Sequence, residues 1–289
     1  MLRPGRICVA LLICSIPMLL SWGHAGDNMM DPVTHPARDP LDATYMIEGA
    51  LVPLIHGKIE RTVVQGSATR MTTTVLGQPV YGDLNGDGSP DAAVILVHDP
   101  GGSGTFYYAA AALYIGQGYK GTNAILIGDR IVPKTIELTN YFINIAYADR
   151  LPAESMSAEP SVDRQLNLIV DNGRLAQVQL NGDKEKLLGG WVIIGHEVRS
   201  FQPCDQRQAL WLMGDSPAYK KTMRAYHQAL PQPEPYQKVF MLLTGELIQA
   251  PKQGFGAEYF AGFKAIRIIR VFIQGKCTRD GFRFDLLKP

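Results

Sequence analysis

The chain has 289 residues, 28 of them basic and 27 acidic, for a net charge of +1. That length exceeds one ordinary domain and points to two. The balance of charge, without a long basic run, argues against nucleic acid as a partner.

Residues 1–25 read as an export signal. Arg3 and Arg6 give a positive start, Ile7 to Leu20 form an apolar run, and Gly23-His24-Ala25 supplies small residues at the cleavage position. The run is short for a membrane span, so none is expected once the signal is removed. An uncleaved anchor is the alternative, because Pro17 and Trp22 are unusual in a signal. Cys14 is not a lipidation cysteine, since the bulky Ile13 precedes it. The expected location is periplasmic or secreted. Removing the two signal arginines leaves 26 basic and 27 acidic residues, a net charge of −1. Cys8 and Cys14 leave as well, and an oxidising compartment would pair the remaining Cys204 and Cys277 as a disulfide.

Residues 26–40 are polar and proline-rich and read as a flexible leader, with Met29, Met30 and His35 as a soft-metal alternative. From Leu41 short strand patterns follow: Thr44 to Ile47, Lys58 to Gln65, Met71 to Tyr81 and the apolar run Ala92 to Val97. Further candidates are Phe106 to Ile115, Asn123 to Gly128, Thr135 to Leu138, Asn140 to Tyr147, Arg164 to Val170 and Leu175 to Leu180. Gly116 to Gly121 and Asp171-Asn172-Gly173 read as turns, and Ala148 to Ser161 as a surface loop.

The stretch Asp83 to Asp91 joins two of these strands. Asp83, Asn85, Asp87 and Asp91 place oxygen side chains at loop positions one, three, five and nine, and Ser89 offers a carbonyl at seven. Calcium takes six to eight oxygens, which a backbone wrapping the ion presents on alternate residues. Gly86 and Gly88 permit the positive φ of a tight wrap. An EF-hand is excluded, because strands flank the loop and Val94 stands at position twelve, where that motif has glutamate. A plain Asn-Gly/Asp-Gly hairpin turn is the alternative, although such a turn does not need Asp83 and Asp91.

The Gly-rich Asp99 to Thr105 segment is not followed by Gly-Lys-Ser/Thr, and Thr105 stands where a serine elbow has its second glycine. It reads as a hairpin loop. Residues 41–180 resemble a domain of exported bacterial proteins with no assigned activity. The shared stretches are GDLNGDGSPDAAVIL, GGSGTFYY, GYKGTNAILIGDRI and YADR. The resemblance implies that the ion loop is part of that domain's design.

Asn181 to Gly190 reads as the domain junction. Trp191 to Arg199, Ala209 to Met213, Tyr236 to Ile248 and Phe263 to Gln274 are strand-like. Between the second and third lies a helix, capped by Asp215 or Ser216 and started by Pro217, with Tyr219, Met223, Tyr226 and Leu230 on one face. This order suits a small five-stranded barrel. Residues 190–278 resemble the C-terminal OB-type domain of NlpE-like envelope-stress lipoproteins, in SFQPC, GDSPAYKKTMRAYHQAL, LLTGELI and IRVFIQGKC. The resemblance implies a non-catalytic interaction module with Cys204 and Cys277 paired across the barrel. That family's metal-associated Cys-x-x-Cys barrel has no counterpart here. Arg267, Arg270, Lys276, Arg279 and Arg283, with Tyr259, Phe260 and Phe263, read as solvated positions and core aromatics rather than a nucleic-acid groove.

No histidines stand at zinc-ligand spacing, and His196 reads as a strand residue. No nucleophile, base and orienter can be assembled. The expected protein is mainly β, with a β-rich (α+β) domain at 41–185 and an OB-like domain at 186–289. The expected function is that of an exported, non-catalytic calcium-binding envelope protein whose partner is an unidentified envelope protein or ligand. The alternatives are a cell-wall or sugar hydrolase with its site near residues 101–105, and a metal or envelope-stress sensor.

Overall fold

The structure is a computed structural model that describes residues 36–63, 66, 68–214, 216–230, 232, 236–278 and 282–286. The signal, most of the leader and its Met29, Met30 and His35 lie outside the described residues. The strands in chain order are β1 (Thr44–Ile47), β2 (Ala50–Pro53), β3 (Lys58–Thr62), β4 (Arg70–Gly82), β5 (Asp91–Asp99) and β6 (Phe106–Tyr114). They continue with β7 (Tyr119–Gly121), β8 (Ile125–Asp129), β9 (Val132–Thr139), β10 (Phe142–Asp149), β11 (Val162–Asp171) and β12 (Arg174–Gln177). The second half holds β13 (Glu185–Ile194), β14 (Arg199–Pro203), β15 (Leu210–Leu212), helix α1 (Pro217–Ala229), β16 (Lys238–Ile248), β17 (Gly262–Phe272) and β18 (Phe282–Asp285).

The first half is layered. One sheet runs β3-β4-β5-β6-β7 with β8 also on β6, and a second runs β12-β11-β10-β9-β18. They share a core of Ile95 and Ala111 from the first sheet with Ile136, Ile145 and Leu168 from the second. The β1–β2 hairpin covers the other face of the first sheet, where Tyr45, Ile47 and Val52 pack on Val94, Leu96 and Ala110. Strand β5 is thus buried on both faces, which is why its sequence is a continuous apolar run rather than an alternating one. The pairs Ala92–Ala112, Ala93–Ala111 and Val94–Ala110 keep its middle thin enough for three layers to close.

Strands β13 to β17 form a closed barrel in the order β13-β14-β15-β17-β16. β15 and β17 are parallel and the other pairs antiparallel. Helix α1 sits between the third and fourth strands, which completes the OB-like plan. Ser216 is the cap, its Oγ accepting from the Tyr219 N–H at 3.0 Å. The helix buries Ala218, Tyr219, Thr222 and Tyr226 against the barrel interior. It is the one α-helix among the described residues, so the first half is β with a single 3-10 turn at Pro40–Asp42.

Several boundaries differ from the sequence expectation. Residues 36–40 are anchored rather than leader, because Ala37 bridges Tyr119 and Asp39 caps the 3-10 turn. Tyr119–Gly121 is a strand. Gly189 and Gly190 lie inside β13, where a Cβ on Gly190 would come 2.3 Å from the Gln202 carbonyl. Their glycines mark close strand packing instead of a linker. A second difference sits at the far end of the chain. β18 leaves the barrel region and pairs with β9 of the second sheet, so the last strand of the chain belongs to a sheet of the first half.

Candidate calcium loop and its setting

β4 ends at Gly82 and β5 begins at Asp91, so residues 83–90 form a hairpin loop between two paired strands. Leu84 anchors it in the core of the two sheets. Gly86 and Gly88 take φ of +87° and +84°, the left-handed values that the wrap requires. The side-chain oxygens turn inward onto backbone amides. Gly86 N–H donates to Asp83 Oδ1 at 2.7 Å and Gly88 N–H to Asp83 Oδ2 at 2.9 Å. Asp87 N–H donates to Asn85 Oδ1 at 2.8 Å, Ser89 N–H to Asp87 Oδ1 at 2.7 Å, and Asn85 Nδ2 to Asp87 Oδ2 at 2.8 Å.

Asp91 is fully buried. Its oxygens accept from the Leu84 N–H and the Tyr114 N–H, both at 2.9 Å, which ties the loop to β6. Burial pushes its carboxyl up to about 6; the two amide donors oppose this, and the charges of Asp87 and Asp83 add to it. Asp91 thus feels the charges of both Asp83 and Asp87. In kind, the donor set suits a hard cation. In arrangement it is not a closed cage, because among the described residues no three His, Cys, Asp or Glu side chains are grouped to hold a metal. Asp83 and Asp87 would have to turn from amides toward an ion.

The loop sits at the junction between the layered half and the barrel. A Cβ on Gly86 would lie 2.7 Å from the Phe272 ring of β17. Phe272 stacks on Tyr141 at 4.1 Å, and both meet Phe240 edge-on. Burial raises the Tyr141 hydroxyl's pKa, the Lys276 N–H that donates to it lowers it, and Asp83 raises it further. The same cluster takes in Leu187, Leu242 and Val178, with Cys204 and Cys277 at its margin. Those cysteines form the disulfide, their Cα atoms 5.4 Å apart.

Two basic residues read as solvated belong to this junction. Arg270 donates to the Val170 carbonyl and to Asp171, and Arg267 donates to the Gln179 carbonyl and to the buried Glu185. Sequence periodicity could not flag them, because their acceptors lie 82 to 100 positions away. His196 is corrected as well: it occupies an exposed turn between β13 and β14. In the 101–105 region, Asp129 accepts from the Thr105 N–H and pairs with Arg130, which holds its carboxyl below the usual range. No helix among the described residues is long and apolar enough to cross a membrane. The chain matches no protein-family model, no curated protein and no solved structure.

Proposed function

We propose that this is an exported, non-catalytic protein in which calcium at Asp83, Asn85, Asp87, Ser89 and Asp91 braces a β-layered half against an OB-type interaction barrel. The observation that carries the reading is the position of the loop. Its Gly86 lies against Phe272, at the packed contact between the halves, and within it Asp83 and Asp87 repel the ionised Asp91 carboxylate. A divalent ion would relieve that repulsion and stiffen the contact in one step.

The interaction role rests on the loop after β16. Phe255 and Phe260 are 53% and 59% exposed there, on a base fixed by Tyr259 against Trp211. In an OB barrel this loop and the face of strands two and three are the usual contact region, so a protein or ligand of the envelope is the expected partner.

Calorimetric melting of the full chain tests the calcium reading. Calcium should raise the melting temperature, chelation should reverse the rise, and Asp87→Ala should abolish it. A wild-type melting curve that calcium leaves unmoved would remove the proposal. The affinity should also depend on pH. With its carboxyl near 6, Asp91 keeps its proton at pH 5 and must release it to the ion. Calcium binding should therefore weaken by about tenfold per pH unit below 6, rather than only near pH 4.

A further inference from the structure

The outer face of the second sheet carries polar residues where its inner face is apolar. Glu137, Asn144 and Asn167 stand in one row across β9, β10 and β11, and Ala146 and Gln165 pair in the next. Above this face pass the segment 177–186 and the start of β13. Between them lie two troughs of about 720 Å³ and about 290 Å³, which share Gln165, Asn167, Leu180 and Lys186 in their linings. Such volumes fall at or just below the ~300–1,000 Å³ typical of small-molecule sites, which favour domain junctions like this one.

The floor keeps hydrogen-bonding capacity unused. Asn167 is only 8% exposed, and its Oδ1 accepts from Asn144 Nδ2 at 2.9 Å. The Asn167 Nδ2 and the Asn144 Oδ1 have no partner among the described residues, yet neither is sealed from solvent. Asn144 lines the smaller trough and Asn167 lines both, beside the exposed Gln165. Side-chain amides both donate and accept, which matches hydroxyl groups that do the same.

The charges narrow the ligand class. The larger trough is lined by Lys134, Arg164 and Lys186 against Asp163, Asp183 and Glu185, so it is neutral. Lys134 is tied to Asp163, and Glu185 to Arg267. The smaller trough sets Lys186 against Asp205 and carries one carboxylate more, that of Glu137. An anionic ligand would meet that carboxylate. A peptide main chain would need an unpaired strand edge, and β9, β10 and β11 are paired on both sides. The small Ala146 leaves room at one end of the larger trough.

We infer that the two troughs, which share Gln165 and Asn167, together bind a neutral oligosaccharide through Asn144, Gln165 and Asn167. The site is separate from the calcium loop and does not depend on it. The test is isothermal titration of the full chain with cellotetraose, maltotetraose and the tetramer of N-acetylglucosamine, and with tetra-alanine as a peptide control. At least one saccharide should bind with a dissociation constant on the order of 1 mM or tighter. Asn144→Ala with Gln165→Ala should weaken it by about tenfold. Ala146→Leu, which fills the floor without removing a polar group, should abolish it. Melting curves of each variant report whether it folds, and the exposed Gln165→Ala alone serves if the pair does not. The inference is overturned if no saccharide binds at about 10 mM, if folded variants bind as wild type does, or if tetra-alanine binds more tightly than every sugar.

Discussion

Gly86 is held at φ +87° with its α-carbon against the Phe272 ring, so it meets two demands at once. Gly88 has nearly the same φ but open space around it. Substituting alanine at each separates the demands. Gly88→Ala should cost about 1 kcal/mol, the penalty for a left-handed alanine. Gly86→Ala should cost about 2–4 kcal/mol, because the methyl group also pushes on Phe272. Urea unfolding measures both, and equal losses would show that the loop does not press on the barrel. The need for positive φ was legible in the sequence, since Gly86 and Gly88 stand inside a loop of oxygen donors. The contact with Phe272 was not, because 186 positions separate the two residues. Asn140 and Tyr141 show the same limit. They form the β9–β10 turn at φ +47° and +71° without a glycine to announce it. Packing on Phe240 and Phe272, together with the Asn140 side chain that accepts from the Thr278 N–H, holds them in a conformation that local preference disfavours.

At the scale of elements, strand existence followed from pattern and strand limits followed from neighbours. Trp191 to Arg199 looked continuous because Val198 resumes the apolar run of Trp191 to Ile194 just before β14 begins. The chain in fact turns at Gly195 to Val198, with the Gly195 N–H donating to the Val198 carbonyl. β16 explains why apolar runs mislead about facing. Val239, Met241 and Leu243 fill the barrel, while Phe240 and Leu242 face the junction. Helix α1 was legible to within a residue, because a cap, a proline and a one-sided apolar stripe are all local signals. The disulfide fastens two elements, the end of β14 and the segment beyond β17, over a separation of 73 residues. On the chain-entropy account such a closure is worth about 4 kcal/mol. Replacing both cysteines with serine should therefore lower stability by roughly that amount. Denaturant unfolding with and without reductant checks it, and coincident curves would contradict the expectation.

For the whole molecule, the halves are joined by more than a linker. β18 pairs with β9, the aromatic cluster of Tyr141, Phe240 and Phe272 fills the interface, and Arg267 and Arg270 fasten it. Each buried aromatic contributes about 2–3 kcal/mol, so the halves should not melt independently. Calorimetry should give one transition with calorimetric and van't Hoff enthalpies in agreement. Two resolved transitions would show that the junction is weak.

By itself the sequence determined what depends on neighbours within a dozen residues: a mainly β chain, the oxygen-rich loop between two strands, the capped helix and the order of strands that suits a small barrel. Tertiary structure alone decided which faces meet. It put the loop against Phe272, returned β18 to the first half, set Arg267 and Arg270 at the junction, and laid Asn144 beside Asn167 over a trough. The physical reason is that hydrogen-bonding and steric preferences of a short segment act through adjacent atoms and leave a pattern in the chain. Contacts between distant segments depend instead on shape and burial that exist only once the layers have closed.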